Sequence, residues 1–131
     1  MIKVEINYQI KVPLSYEALF KRLTQATLRL LKIRGNFTLS VVFVSPREIK
    51  FLNKKYRSQN KATDVLSFGE VNEIAICYAQ AVRQAKALGH SVNQEVAWLF
   101  IHGLLHLLGL THETEKKYQR MVKLQQKILD G

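Results

Sequence analysis

The sequence has few cysteines, no secretory signal pattern and no long apolar run, and so lacks the features that indicate a secreted or membrane-spanning protein. Among 131 residues there is one cysteine, Cys77, so no intramolecular disulfide can form. The N-terminus alternates apolar and polar residues and lacks the charged-then-apolar pattern of a secretory signal. The apolar run from Val96 to Leu110 contains two histidines and 15 residues, whereas a membrane span needs about 20 apolar residues. We therefore expect a cytoplasmic protein without a membrane partner.

Linkers, internal repeats and low-complexity segments are also missing. A chain of 131 residues is long enough to bury a core and shorter than the size at which chains divide into domains. Its hydrophobic content of 47% is ordinary for a globular protein. We therefore expect one domain spanning residues 1–131.

Acidic residues are scarce relative to basic ones. There are 10 Asp and Glu against 20 Lys and Arg, which gives a formal net charge of +10 at pH 7. An excess of this size in a small protein favours a polyanionic partner, either a nucleic acid or an anionic membrane surface. We take nucleic acid as the better interpretation, with a solvated basic face that binds nothing as the simplest alternative.

The pattern of apolar residues predicts about four strands and about five helices. Alternation and β-branched runs indicate strands at Ile2 to Val12, Phe37 to Val44, Asp64 to Phe68 and Glu73 to Cys77. Helical spacing, capping residues and terminal glycines indicate helices from Ser15 to Gly35, Pro46 to about Tyr56, Ala79 to Leu88, Ser91 to Gly109 and Glu113 to Leu129. The fold class is therefore α+β, a single compact domain with a mixed sheet.

Three of the four histidines fall within eleven residues, from His102 to His112, at the end of the fourth of these helices. His102 and His106 are four positions apart and so share one face of the helix. Gly109 offers a backbone with positive φ that can end the helix and return His112 toward the other two. Three neutral imidazoles leave a tetrahedral Zn²⁺ with one open position, as in catalytic zinc sites. This helix is apolar almost all round, Trp98 included, and is therefore expected to be the central buried one.

Two other metal-site classes fit less well. Structural zinc sites usually have four ligands, with thiolates among them, and Cys77 is the only thiol. The spacing of the histidines also matches metzincin proteases, in which a glutamate after the first histidine activates water. Here that position is Gly103, so the peptidase base is missing.

A second motif lies earlier in the chain, and the two together carry a family resemblance. It comprises Leu52 to Arg57, reading LNKKYR, and Ala62 to Phe68, reading ATDVLSF. With the segment HGLLHLLGLTH, these stretches resemble the YbeY family of bacterial rRNA maturation factors, in the same order and over essentially the whole chain. The resemblance implies a metal-dependent endoribonuclease specific for single strands. It further implies 3′-end processing of small-subunit rRNA, ribosome quality control, and ribosomal or assembly proteins as further partners.

The resemblance also implies roles for particular residues. His102, His106 and His112 would hold one Zn²⁺ per chain. Arg57 would act at the phosphate, where its planar fork of donors suits an oxyanion better than lysine does. Four lysines around it, namely Lys50, Lys54, Lys55 and Lys61, would follow the RNA backbone. For each lysine alone, a solvated surface charge is the alternative.

The chain departs from the family pattern at several positions. Leu110 and Thr111 stand where the family usually has Tyr-Asp, and Gly69 and Glu73 replace a usual proline and aspartate. A carboxylate at position 111 could orient a ligand imidazole, an interaction typically worth about 10–100-fold in metal affinity or activity. Glu113 is the neighbouring residue that could take its place.

Two other function classes stay open at this stage. A non-catalytic ribosome-assembly factor would use the basic surface and keep the metal for structure. A metallohydrolase of another substrate would use the metal without needing the charge.

Overall fold

The computed structural model describes all residues, 1–131, and has nine regular elements. In chain order these are β1 (Ile2–Tyr8), α1 (Glu17–Leu30), β2 (Phe37–Val44), α2 (Pro46–Arg57), β3 (Val65–Phe68), β4 (Glu73–Cys77), α3 (Tyr78–Leu88), α4 (Val92–Leu107) and α5 (Glu115–Asp130). The prediction of an α+β domain with four strands and five helices is confirmed. No helix combines the length and the apolar character that crossing a bilayer requires.

The four strands form one mixed sheet in the order β1-β2-β4-β3. β1, β2 and β4 run parallel, and β3 pairs antiparallel with β4 at one edge. β2 is buried on both faces, because Leu39, Val41 and Phe43 point into the main core while Val42 and Val44 pack under α2. This is why its sequence is apolar almost throughout, whereas the edge strand β1 alternates.

α4 lies at the centre of the main core, as its sequence predicts. It packs against α1, α3 and α5 and against the β3–β4 edge of the sheet. Phe100 on α4 is fully buried and stacks on Phe20 of α1, with ring centroids 4.0 Å apart. Trp98 is an exception to the prediction of burial all round, because its side chain is only half-buried and borders a surface pocket.

Two elements, β1 and α1, are shorter than the sequence-based prediction. β1 ends at Tyr8 and does not continue to Val12. α1 begins after Tyr16 without a side-chain cap from Ser15, and it ends at Leu30, well before Gly35. Lys32 adopts φ of 58° there, and the Ile33 amide donates to the Leu28 carbonyl, so the helix terminates as if a glycine stood at position 32. The predicted caps at Ser45 and Ser91 are confirmed.

Candidate metal centre

The last two turns of α4 carry two of the three histidines. His102 and His106 are one turn apart, half-buried, and their Nε2 atoms lie 3.1 Å from each other. Because these side chains project from a helix that is buried in the core, their relative position is set by the backbone of α4.

A glycine-terminated helix end returns the chain so that His112 joins them. Gly109 has φ of 96°, its amide donates to the His106 carbonyl, and the Leu110 amide donates to the Leu105 carbonyl. These two hydrogen bonds form the Schellman motif, which closes a helix when a residue of positive φ follows it. The predicted role of Gly109 is confirmed, and the exposed ring of His112 faces the other two.

The three imidazoles fit a metal ion by their spacing. One ring nitrogen from each histidine lies within 4.8 Å of the others. Two nitrogens bonded to a tetrahedral zinc at about 2.0–2.1 Å are about 3.3 Å apart, close to the 3.1 Å between His102 and His106. No carboxylate or thiolate belongs to this group.

The environment of His102 and His106 favours the neutral form that a metal ligand needs. Burial, and after it the neighbouring His102 and His112, lower the pKa of His106 to about 4. Burial also lowers the pKa of His102. At neutral pH these two imidazoles are therefore unprotonated, and no proton has to leave before a cation binds.

The remaining nitrogen of His102 contacts a residue that sequence analysis did not select. Its Nδ1 lies 3.3 Å from Oε1 of Gln125, a fully buried side chain on α5 whose Nε2 donates to the Trp98 carbonyl at 3.3 Å. Gln125 is 23 positions from His102, and no motif marks it. Glu113, the expected replacement for a carboxylate at position 111, is exposed and is not part of the histidine group.

Gly103, where a zincin has its catalytic glutamate, is packed tightly against two side chains of the sheet. A Cβ at this position would lie 3.0 Å from Cγ2 of Ile74 and 3.2 Å from Cγ2 of Val65. The glycine allows α4 to approach the β3–β4 edge closely. The structure therefore gives a physical reason why the peptidase base is absent.

Arg57 lies on the same cleft as the three histidines. This cleft of about 370 Å³ is lined by Arg57, the segment 63–67, His102, Gly103, His106 and His112. The guanidinium donates to the Ser67 carbonyl and lies over the Phe68 ring at 5.4 Å. The Asp64 carboxylate accepts from the Val65 amide at 2.8 Å, so it holds the loop as well as lining the cleft.

The four lysines named from the sequence are exposed beside the cleft and do not line it. Lys50 and Lys54 share the face of α2 that bears Arg57, since their spacings are four and three residues. Lys55 points elsewhere and lies over the rings of Phe51, at 5.9 Å, and Tyr56, at 5.2 Å. Lys61 is in the following loop, where its carbonyl accepts from the buried Asn53 side chain.

Two exposed aromatic side chains on α2 were also missed by sequence analysis. Phe51 is 56% exposed and Tyr56 is 51% exposed. Phe51 falls outside the apolar stripe of Ile49 and Leu52, and this position among lysines is the signal that could have marked it. α2 therefore presents exposed aromatic and basic side chains, namely Lys50, Phe51, Lys54, Lys55 and Tyr56, and the helix ends at Arg57 on the cleft.

The remaining histidine and the glutamate on α4 lie outside this cleft. Glu95 is buried, and its carboxylate accepts from Gln84 and contacts His90, each at 2.7 Å. Both residues border a different pocket, with Trp98 and Leu129. Glu95 is therefore not placed to act on a substrate at the three histidines.

The chain is similar in sequence to proteins named as endoribonucleases. The model of the family described as Endoribonuclease YbeY matches residues 2–131. A relative named Endoribonuclease YbeY from Caldanaerobacter subterraneus is 38% identical, covering 95% of this chain and 92% of its own. One of the same name from Limosilactobacillus reuteri is 37% identical, covering 83% and 82%. The solution structure of TM1509 from Thermotoga maritima superposes with a TM-score of 0.65 at 29% identity, covering 99% of this chain and 87% of that one.

Proposed function

The chain belongs to the YbeY endoribonuclease family, and from that premise we propose that it is a zinc-dependent, single-strand-specific endoribonuclease. The observation that carries the proposal is the cleft itself, in which three imidazoles and one guanidinium surround a space open to solvent. Residues 1–131 form a single endoribonuclease domain in this proposal. The three histidines hold one zinc ion per chain.

The chemistry divides between the ion and the side chains. When bound, zinc supplies a Lewis acid that stabilises charge on phosphate oxygens and activates water. Because the imidazoles are neutral, they leave the charge of the ion undiminished. Arg57 contributes a second fixed cation that binds phosphate oxygens as their charge increases. Its contacts with the Ser67 carbonyl and the Phe68 ring hold the guanidinium in place before the substrate arrives.

The surface of α2 supports RNA as the substrate. The net charge of +10 attracts a polyanion, and Lys50 and Lys54 extend the basic face of Arg57 away from the cleft. The exposed rings of Phe51 and Tyr56 can stack on unpaired bases, which a duplex keeps inside. This is the structural argument for preferring single strands.

The family resemblance extends the proposal to the biological role. The substrate is the 3′ end of small-subunit rRNA, and the protein acts in the cytoplasm during ribosome maturation and quality control. Ribosomal or assembly proteins would then be its further partners.

The test combines metal analysis with cleavage of one RNA sequence offered single-stranded and as a duplex. We expect one zinc per chain, cleavage of the single strand, loss of cleavage with a chelator, and recovery when zinc is returned. Cleavage that survives complete removal of metal would contradict the proposed mechanism. RNA binding without cleavage by the zinc-loaded protein would favour a non-catalytic assembly factor.

A further inference from the structure

Gln125 connects α5 to the candidate metal centre. Its side chain is 1% exposed and reaches between α5 and α4, where it meets both the His102 ring and the Trp98 carbonyl. A glutamine amide has one end that only donates and one end that only accepts. The orientation of the amide therefore determines which partner atom accepts a hydrogen bond and which donates one.

The Trp98 carbonyl fixes that orientation. A carbonyl oxygen can only accept, so the end of the amide that faces it at 3.3 Å must be the NH₂ group. The amide oxygen is then the atom that faces His102 Nδ1. Because that oxygen only accepts, the proton of the neutral imidazole must be on Nδ1. The lone pair is consequently on Nε2, the atom that lies 3.1 Å from His106 Nε2.

We propose that Gln125 is a positioning residue that holds His102 as the Nδ1–H tautomer, with its Nε2 lone pair directed at the metal position. The proposal rests on the proposed function insofar as it concerns a bound metal. Gln125 takes the orienting role expected of a carboxylate at position 111, but it is neutral. The charge of the bound ion is therefore not offset by an anionic partner.

The tautomer can be measured without any metal. The metal-free full chain, labelled with ¹⁵N at histidine, is observed by long-range proton–nitrogen correlation above the pKa of the imidazoles. We expect His102 of the native chain to be protonated at Nδ1. In Gln125→Met, which has similar volume and no acceptor, we expect this single tautomer to be lost. Gln125→Glu, when protonated at the oxygen that faces the Trp98 carbonyl, keeps an accepting oxygen toward His102 and should keep the tautomer.

Zinc affinity, measured by competition with a chelating dye, supplies the second readout. We expect Gln125→Met to bind zinc about 10–100-fold more weakly, as is usual when the orienting partner of a ligand histidine is removed. Gln125→Glu should bind at least as tightly as the native chain. Gln126→Met is the matched control, because Gln126 is the next residue and its amide contacts only Asp130 on the exposed side of α5.

Each result bears on a separate statement. A native His102 protonated at Nε2, or native zinc affinity in a folded Gln125→Met variant, would overturn the role of Gln125. If Gln125→Met fails to fold, the tautomers of the native chain and of Gln125→Glu decide the question. A native chain that shows the Nδ1–H tautomer but binds no zinc would contradict the proposed metal dependence and leave the tautomer assignment standing.

Discussion

At the scale of single residues, the site depends on the protonation of imidazole rings and on one guanidinium. Burial and the proximity of the other two rings lower the pKa of His106 to about 4, so this ligand is neutral over the physiological range. The structure holds Arg57 against the same cleft through a backbone carbonyl and an aromatic ring. Substitution of a histidine should therefore affect zinc binding, whereas substitution of Arg57 should affect RNA cleavage.

His106→Ala should abolish stoichiometric zinc binding, because two imidazoles would remain where three converge. The loss of affinity should exceed the about 10–100-fold that follows removal of an orienting partner. Elemental analysis of the purified variant measures it. His90→Gln is the control, since it changes the one histidine outside the group and keeps a hydrogen-bond donor toward Glu95. Equal zinc content in His106→Ala and the native chain would show that the metal binds elsewhere.

Arg57→Lys should keep the zinc and lose most of the RNA cleavage, although the charge is unchanged. A lysine cannot provide two parallel donors to a phosphate or stack on Phe68 in the same way. Loss of one preorganised donor typically costs about 10²–10³-fold in kcat. Single-turnover cleavage of a short RNA measures the rate. A native rate for this variant would remove Arg57 from the mechanism.

At the scale of elements, the site is assembled where the end of α4 approaches β3 and β4. Gly103 permits this approach, because the nearest side-chain atoms would be 3.0 and 3.2 Å from a Cβ. α2 packs on the other side of β3 and contributes Arg57, which is the last residue of the helix. The packing of α4 at Gly103 and the exposed surface of α2 can therefore be tested by separate substitutions.

Gly103→Ala should destabilise the fold even though alanine favours helices by about 1 kcal/mol over glycine. The methyl group would have to displace Ile74 and Val65, and overpacking of this kind typically costs about 1–3 kcal/mol. Chemical denaturation measures the free energy of unfolding. Gly69→Ala serves as the comparison, because a Cβ there meets open space. An increase in stability for Gly103→Ala would mean that α4 can move away from the sheet.

Phe51→Ala should weaken binding of single-stranded RNA and leave binding of duplex RNA unchanged. The exposed ring is available for stacking, which is worth about 1–3 kcal/mol per base. Phe51→Leu should weaken it similarly, since it keeps an apolar side chain but loses the ring. Leu14→Ala, at another exposed apolar residue, is the control. Fluorescence anisotropy with labelled oligonucleotides measures the affinities, and equal losses for single strands and duplexes would exclude stacking.

At the scale of the whole molecule, the positive charge is a property of the chain, but its placement decides what it can contact. α2 and the cleft are next to β3, at one edge of the sheet, and β1 forms the opposite edge. Charges near β3 can follow an RNA strand that enters the cleft. Charges near β1 contribute only to the overall field.

Lys54→Glu should therefore weaken RNA binding more than Lys11→Glu, although each substitution lowers the net charge from +10 by the same amount. Lys54 lies on the face of α2 that bears Arg57, and Lys11 follows β1. Loss of one phosphate contact should also reduce the slope of log affinity against log salt by about 1. Titrations at several salt concentrations measure both quantities. Equal effects of the two substitutions would indicate that only total charge matters.

Local signals in the sequence determined much of this protein. The caps at Ser45 and Ser91, the helix end at Gly109, and the shared face of His102 and His106 were all predictable, because each depends on atoms within a few residues along the chain. Lys32 shows the limit of such signals. It ends α1 in a conformation that usually marks a glycine, before the glycine that the sequence offers.

Tertiary structure alone decided how separate elements meet. Arg57 and His102 are 45 positions apart in the sequence, and they share a cleft because α2 and α4 both pack at β3. Gln125 reaches His102 only because α5 packs on α4. Trp98 is only half-buried because it borders a surface pocket that residues of α5 and of the turn before α4 also line. The physical reason is that helix and strand patterns depend on near neighbours, whereas the position of one element on another depends on packing across the whole core.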